Sequence, residues 1–246
     1  MTEDLHDASH PDHRFPTIWG ALGWVAVFLL LQVIAGVMAL GIAIGMDKSG
    51  RDPMELARDT SFIAAPTILS LVASSLVLLG LLWLHLGKED RAARIGLMRW
   101  SRLSLIQTVG LAIGLIALGL AFNHLYANYV IPDIKVQEAL RKMFAALPDT
   151  PMNTVILFVA IAGIAPLLEE ILFRGLVQNA LAKKLPAWGA ILGASAIFGA
   201  VHMDYHAFPA LMAMGAVFGI LYHKTGSLRV NIVAHMINNG AALLLT

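Results

Sequence analysis

Long apolar runs restrict this chain more than any other feature. Residues 17–46, 62–86, 103–130 and 153–181 each hold the roughly 20 mostly apolar residues that carry a helix across a bilayer. Three further runs, 187–202, 207–223 and 228–245, are shorter. The stretch Met203, Asp204, Tyr205, His206, followed by Pro209, separates the first two of these by a tight turn. The expected fold is therefore all-α: a polytopic transmembrane helical bundle of about seven spans. Composition agrees, because charged residues make up 13% of the chain, about half of the quarter usual in soluble domains. A net charge of +1 offers no basic field for nucleic acid, so membrane lipid is the expected surrounding. The absence of cysteine excludes disulfides, thiolate zinc sites and a thiol nucleophile.

Three regions follow. Residues 1–16 read as a polar cytoplasmic tail, not a signal peptide, since they lack a basic start and an apolar stretch. Its His6, His10 and His13 read as tail histidines before metal ligands. Residues 17–150 hold the first helices and a polar segment, 132–151, in which Val136, Leu140, Met143, Phe144 and Leu147 recur at helical spacing. That segment reads as an outer surface helix, with a lid as the sharper alternative. Residues 151–246 hold the remaining helices.

Orientation is read from the positive-inside bias. Placing the dense basic run Lys88, Arg91, Arg94, Arg99 and Arg102 in the cytoplasm brings Arg14, Lys183, Lys184, Lys224 and Arg229 there too. The other side holds fewer basic residues, diluted by acidic ones. The expected N-terminus is thus inside and, with seven spans, the C-terminus outside. The pairs Gly41/Gly45 and Gly110/Gly114 have the spacing of close helix contacts. Tryptophans 19, 24, 83, 100 and 188 fall near span ends, as interfacial anchors do.

The chemistry is concentrated after residue 165. Glu169, Glu170 and Arg174 interrupt an otherwise apolar helix, and ionisable groups at membrane depth are costly unless paired and used. Glu170 and Arg174 are four apart and can pair on one face, leaving Glu169 free. The fifth run places Phe198 one turn before His202. The seventh places His235 one turn before Asn239, with Asn231 one turn earlier and Asn238 adjacent. The site is expected between the fourth, fifth and seventh helices, with the fifth running past residue 202 to bring His202 to depth. An acid, two imidazoles and a carboxamide suit a water-activating hydrolytic site. A serine triad has no good candidate, since Ser195 stands seven residues before His202 on the same helix. His206, His124 and His223 read as solvated.

The series Glu169-Glu170-x-x-x-Arg174, Phe198-x-x-x-His202 and His235-x-x-x-Asn239 resembles the CPBP intramembrane proteases, which include CAAX prenyl endopeptidases and bacteriocin self-immunity (Abi) proteins. The resemblance covers roughly residues 150–246, and nothing specific covers the first 150. It implies an endopeptidase in a bacterial inner membrane, acting on a membrane-associated or lipidated peptide or protein. It further implies Glu169 as general base with His202 as partner, His235 and Asn239 at an oxyanion hole, and Glu170, Arg174 and Phe198 in support. An alternative places zinc or another divalent metal on His202, His235 and Glu169, although the HExxH pattern is absent. No cofactor is otherwise implied.

Two other classes remain open on the sequence. Buried Glu and His also carry protons through transporters, and Gly163 with Pro166 could break the fourth helix as such proteins require. A non-catalytic immunity or scaffold protein could keep the same fold.

Overall fold

A computed structural model describes residues 15–87, 90–132, 134 and 138–244, with the backbone alone at 138–140. The tail with His6, His10 and His13, and the side chains of Val136 and Leu140, lie outside the described residues. Among the described residues every regular element is helical. We number them α1 (Ile18–Met46), α2 (Pro53–Arg58), α3 (Thr60–Leu86), α4 (Arg91–Arg94), α5 (Leu105–Val130), α6 (Glu138–Ala145), α7 (Pro151–Ala182), α8 (Ala187–Ala200), α9 (Phe208–Thr225) and α10 (Leu228–Leu244).

All seven expected long helices form. Four, α1, α3, α5 and α7, are long and apolar enough to cross a membrane. The others have 14, 18 and 17 residues. At 1.5 Å per residue, α8 extends only about 21 Å, short of a hydrocarbon core of about 30 Å. Seven full spans are therefore not reached by length and composition.

Helix ends follow local chemistry. Thr17 caps α1 through its side chain, Asp59 caps α3, and Ser104 forms a reciprocal capping box with Gln107 at the start of α5. Asp204 accepts from the backbone N–H groups of His206 and Ala207, closing the expected turn before α9. Helix α8 ends at Ala200, so His202 lies in the turn after it. This corrects the expectation that the helix runs on. The His202 N–H bonds to Gly199 O, which tightens the chain out of the helix.

Helix α7 is continuous, which corrects the suggestion of a transporter-like break. It widens to i→i+5 bonding at Val159–Ile164 and again at Glu170–Gln178. The first wide turn precedes Pro166, which has no N–H to offer one turn back; widening absorbs the defect without unwinding the helix. The second begins between the two glutamates.

One end of the bundle is stitched together. The segment after α4 bonds to the α9–α10 corner: Arg102 N–H to Thr225 O at 2.9 Å, Leu228 N–H to Gly96 O at 3.1 Å, and Tyr222 Oη to Ile95 O at 2.8 Å. Two glycines permit this. Gly96 and Gly226 have φ of +75° and +65°, and a Cβ on Gly96 would stand 2.7 Å from Gly226 O. The start of α1 and the end of α7 join the same end, where Lys183 Nζ donates to Phe15 O. Helices therefore alternate in direction, and Arg94, Arg99, Arg102, Lys183, Lys184, Lys224 and Arg229 share one end with all five tryptophans.

Packing corrects one further expectation. Added Cβ atoms at Gly41, Gly45, Gly110 and Gly114 would meet nothing within 4 Å, so neither pair is a contact. The close approaches fall instead on α9. A Cβ at Gly215 would lie 3.0 Å from Ser195 Cβ, and one at Gly219 3.0 Å from Ile191. Helix α6 packs beside α3, with Met143, Phe144 and Leu147 half-buried, as a surface helix does.

Candidate active site

Helices α7, α8, α9 and α10 converge on Glu170. Its side chain is fully buried, and it accepts from Arg174 Nη1 at 3.0 Å, Asn231 Nδ2 at 3.0 Å and His235 Nδ1 at 2.9 Å. A buried carboxylate persists only with such compensation, and three donors from two helices supply it. The Arg174 guanidinium is also fully buried. Its Nη2 donates to Gly215 O at 3.0 Å, and its plane lies 4.9 Å from the Phe198 ring and 5.5 Å from the Phe218 ring. The expected Glu170–Arg174 pair thus ties α7 to all three later helices.

His235 sits between two carboxylates. Its Nδ1 faces Glu170, and its Nε2 faces Glu169 Oε2 at 3.6 Å. Phe218 stacks on its ring at 4.3 Å and Phe198 meets it edge-on at 6.4 Å, which fixes the imidazole plane. The Glu169 side chain is 16% exposed, against none for Glu170. The adjacent glutamates therefore differ in kind: one is sealed in an ion pair, the other opens toward space.

His202 is half-buried, its ring 5.0 Å from Phe198. Its Nδ1 lies 2.8 Å from Phe198 O. A carbonyl only accepts, so Nδ1 carries a proton toward Phe198 O and Nε2 is the nitrogen turned away from that bond. The same i to i−4 bond explains the Phe198-x-x-x-His202 spacing, and the Phe198 ring touches both imidazoles. Asn239 is half-buried; its Nδ2 donates to Ile161 O at 3.1 Å and its Oδ1 accepts from Asn238. It ties α10 to α7 and keeps its second amide proton. His206, expected to be solvated, is half-buried, its ring tilted against Tyr205 and its carbonyl accepting from Tyr126 Oη; His124 and His223 are exposed.

The structure thus gathers Glu169, Glu170, Arg174, Phe198, His202 and His235, while the described bonds of Asn239 run to Ile161 and Asn238. Sequence reasoning underweighted Asn231, which is fully buried and donates to both Glu170 and Phe218 O. It missed α9 altogether, including Phe218 and the Gly215 carbonyl. The signal available was the Gly215/Gly219 spacing. Among the described residues no group of three His, Asp or Glu side chains is arranged to hold a metal ion. His235 has one nitrogen engaged by Glu170 and the other turned to Glu169.

This is a membrane-embedded helical protein with a buried acid–imidazole array. Residues 151–241 match the family described as Type II CAAX prenyl endopeptidase Rce1-like. The chain is also similar to YdiL of Bacillus subtilis (strain 168), a membrane peptidase by name, with 35% identity over 94 residues, 38% of each chain. It is 34% identical over 101 residues to the membrane-embedded CAAX protease MroQ of Staphylococcus aureus (strain USA300), covering 36% of this chain and 38% of that one. The matched stretch thus spans less than half the length of either relative. No solved structure matches the chain.

Proposed function

We propose that the protein is an intramembrane endopeptidase that hydrolyses a peptide bond in a membrane-associated or lipidated substrate, with water activated by its own side chains. The observation that carries this reading is the array Glu170–His235–Glu169, an imidazole held between a sealed and an open carboxylate. Glu170 fixes the orientation of His235 and balances its charge, as a buried carboxylate does for a catalytic imidazole. Glu169 takes the proton of the attacking water, and His235 Nε2 beside it relays that proton to the leaving amine. His202 presents the Nε2 lone pair to the same water. The second amide proton of Asn239 is the candidate oxyanion donor. Arg174 and Phe198 hold the constellation rigid.

On this reading the basic end faces the cytoplasm, so the N-terminus is inside and the C-terminus outside, in a bacterial inner membrane. A reporter fused after Thr246 checks this, since a cytoplasmic signal would reverse it. The substrate class suggested by the matching family's description and by the name of MroQ is a CAAX-like processed protein.

The test is cleavage of a pooled library of lipidated and unlipidated peptides by the purified chain in detergent, with and without a chelator. The wild type is expected to cleave with or without the chelator. Glu169→Gln and His235→Ala are expected to lose at least about a hundredfold, the low end for a general acid–base group, with unchanged insertion. Near-normal turnover by Glu169→Gln would sink the water activation. Loss on chelation with recovery on added zinc would replace it with metal chemistry. A binding phenotype that Glu169→Gln leaves intact would favour a scaffold.

A further inference from the structure

The stitched end of the bundle contains a second polar site that the proposed chemistry does not use. A cavity of about 320 Å³ opens there, lined among others by Arg94, Arg99, Arg102, Gln178, Asn179 and Tyr222. That volume lies at the low end of small-ligand sites. We infer that this cavity binds the phosphate group of an anionic membrane lipid.

Three observations support the assignment. The first is charge: Arg99 and Arg102 are exposed, and neither has a carboxylate partner among the described residues. Arginine presents a planar fork of donors that matches phosphate oxygens.

The second is construction. Arg102 lies against Gly226, where an added Cβ would stand 2.5 Å from its Nε, and Gly226 itself has φ of +65°. Behind the arginines, Asn179 Nδ2 meets Tyr222 Oη at 2.6 Å, and that hydroxyl donates to Ile95 O. Gln178, only 5% exposed, donates to Gly219 O, while its Oε1 has no partner.

The third is depth. Arg99 adjoins Trp100 and the cavity-lining Ala187 adjoins Trp188, both strongly exposed at 75% and 68%. Exposed tryptophans at span ends sit at headgroup level, and basic pockets between helices there are suited to lipid phosphates. A ligand at this depth reaches the cavity from the bilayer.

The test is titration of the intact chain in a neutral detergent with short-chain phosphatidylglycerol, phosphatidylcholine, inorganic phosphate, or a peptide with a free C-terminal carboxylate. Occupancy is read by native mass spectrometry and by the shift in Tm. Phosphatidylglycerol is expected to bind and raise Tm. Arg99→Gln/Arg102→Gln should weaken it at least about tenfold, and Arg99→Lys/Arg102→Lys should retain most of the affinity. Equal binding of inorganic phosphate would keep the phosphate site but make its source soluble. Lipid binding equal for phosphatidylcholine, or indifferent to the glutamine pair, would overturn the site. Peptide binding that depends on these arginines, without lipid binding, would overturn it in favour of a substrate carboxylate.

Discussion

The first three long helices and the last four differ in how far their buried polar groups reach from one helix to another. In α3 the buried polar residues Ser70 and Ser74 bond back to Thr67 O and Leu71 O within their own helix. From α7 onward, Arg174 reaches Gly215 O, Gln178 reaches Gly219 O, and Asn231 and His235 reach Glu170, each on another helix. Lipid provides no hydrophobic drive for helix to meet helix, so packing and polar bonds between helices must select the partners. Only the C-terminal region uses such bonds heavily. The comparison teaches that residues 151–244 hold a geometrically specified core, while α1 joins it through apolar packing at its start, with Ala21 and Val25 buried, and has no fully buried residue in its most apolar window.

Cutting the hub tests that contrast most severely. Arg174→Met leaves Glu170 buried without its cation, and breaking a buried pair this way costs about 3–5 kcal/mol. Folded yield and Tm in detergent should collapse. Ser74→Ala, which removes a bond within one helix, should cost no more than about 1 kcal/mol. A stable, monodisperse Arg174→Met protein would mean that the later helices do not depend on the ion pair.

Much of this division could be read from residue order. Apolar runs located the seven long helices within a few residues, because hydropathy and helix length are set by the same bilayer. The pairing of Glu170 with Arg174, and Phe198 with His202, was legible because the members of each pair stand four residues apart, a local spacing that a helix or the turn closing it brings together. What was not legible lies between helices. No sequence rule ties Glu170 to Asn231 or His235, more than 60 residues away. The end of α8 before His202 depends on a turn bond to Gly199 that an apolar run does not reveal. Small-residue spacing identified Gly41/Gly45 and Gly110/Gly114, yet these face open space. The same spacing at Gly215/Gly219 marks a real approach, because only there does another helix bring Ser195 and Ile191 close.

The glycines sharpen the comparison at a smaller scale. Gly215→Ala must push against Ser195, whose backbone lies 3.1 Å from the added carbon, and should cost about 1–3 kcal/mol by overpacking. Gly41→Ala and Gly110→Ala meet nothing and should be neutral, or more stable by up to about 1 kcal/mol through helix propensity. Thermal unfolding of the three variants side by side decides the matter. Equal losses at all three positions would erase the distinction between the regions. Asn239→Ala should fall below Gly215→Ala, at about 1 kcal/mol, because the bonds it removes, to Ile161 O and from Asn238, are only half-buried.

The smallest effect is expected at the far end of α1 and α3. There Arg51 Nη1 donates to Asp59 Oδ2 at 2.8 Å, with both side chains about a third exposed. The hydrogen bond from Arg51, with the N–H groups of Phe62 and Ser61, holds the Asp59 carboxyl below its ordinary value. A carboxylate whose folded pKa is depressed stabilises the fold above its unfolded pKa and loses that contribution as pH falls through the folded one. Acid should therefore remove what little this pair supplies, and salt should screen it at neutral pH. Comparing Tm of wild type and Asp59→Asn at pH 7 and near pH 3 checks the sign, with a slight deficit for the variant at pH 7 and none in acid. A large loss at pH 7 would show that α3 depends on this cap and ion pair as the C-terminal helices depend on Glu170, and the two regions would then differ less than their buried polar groups imply.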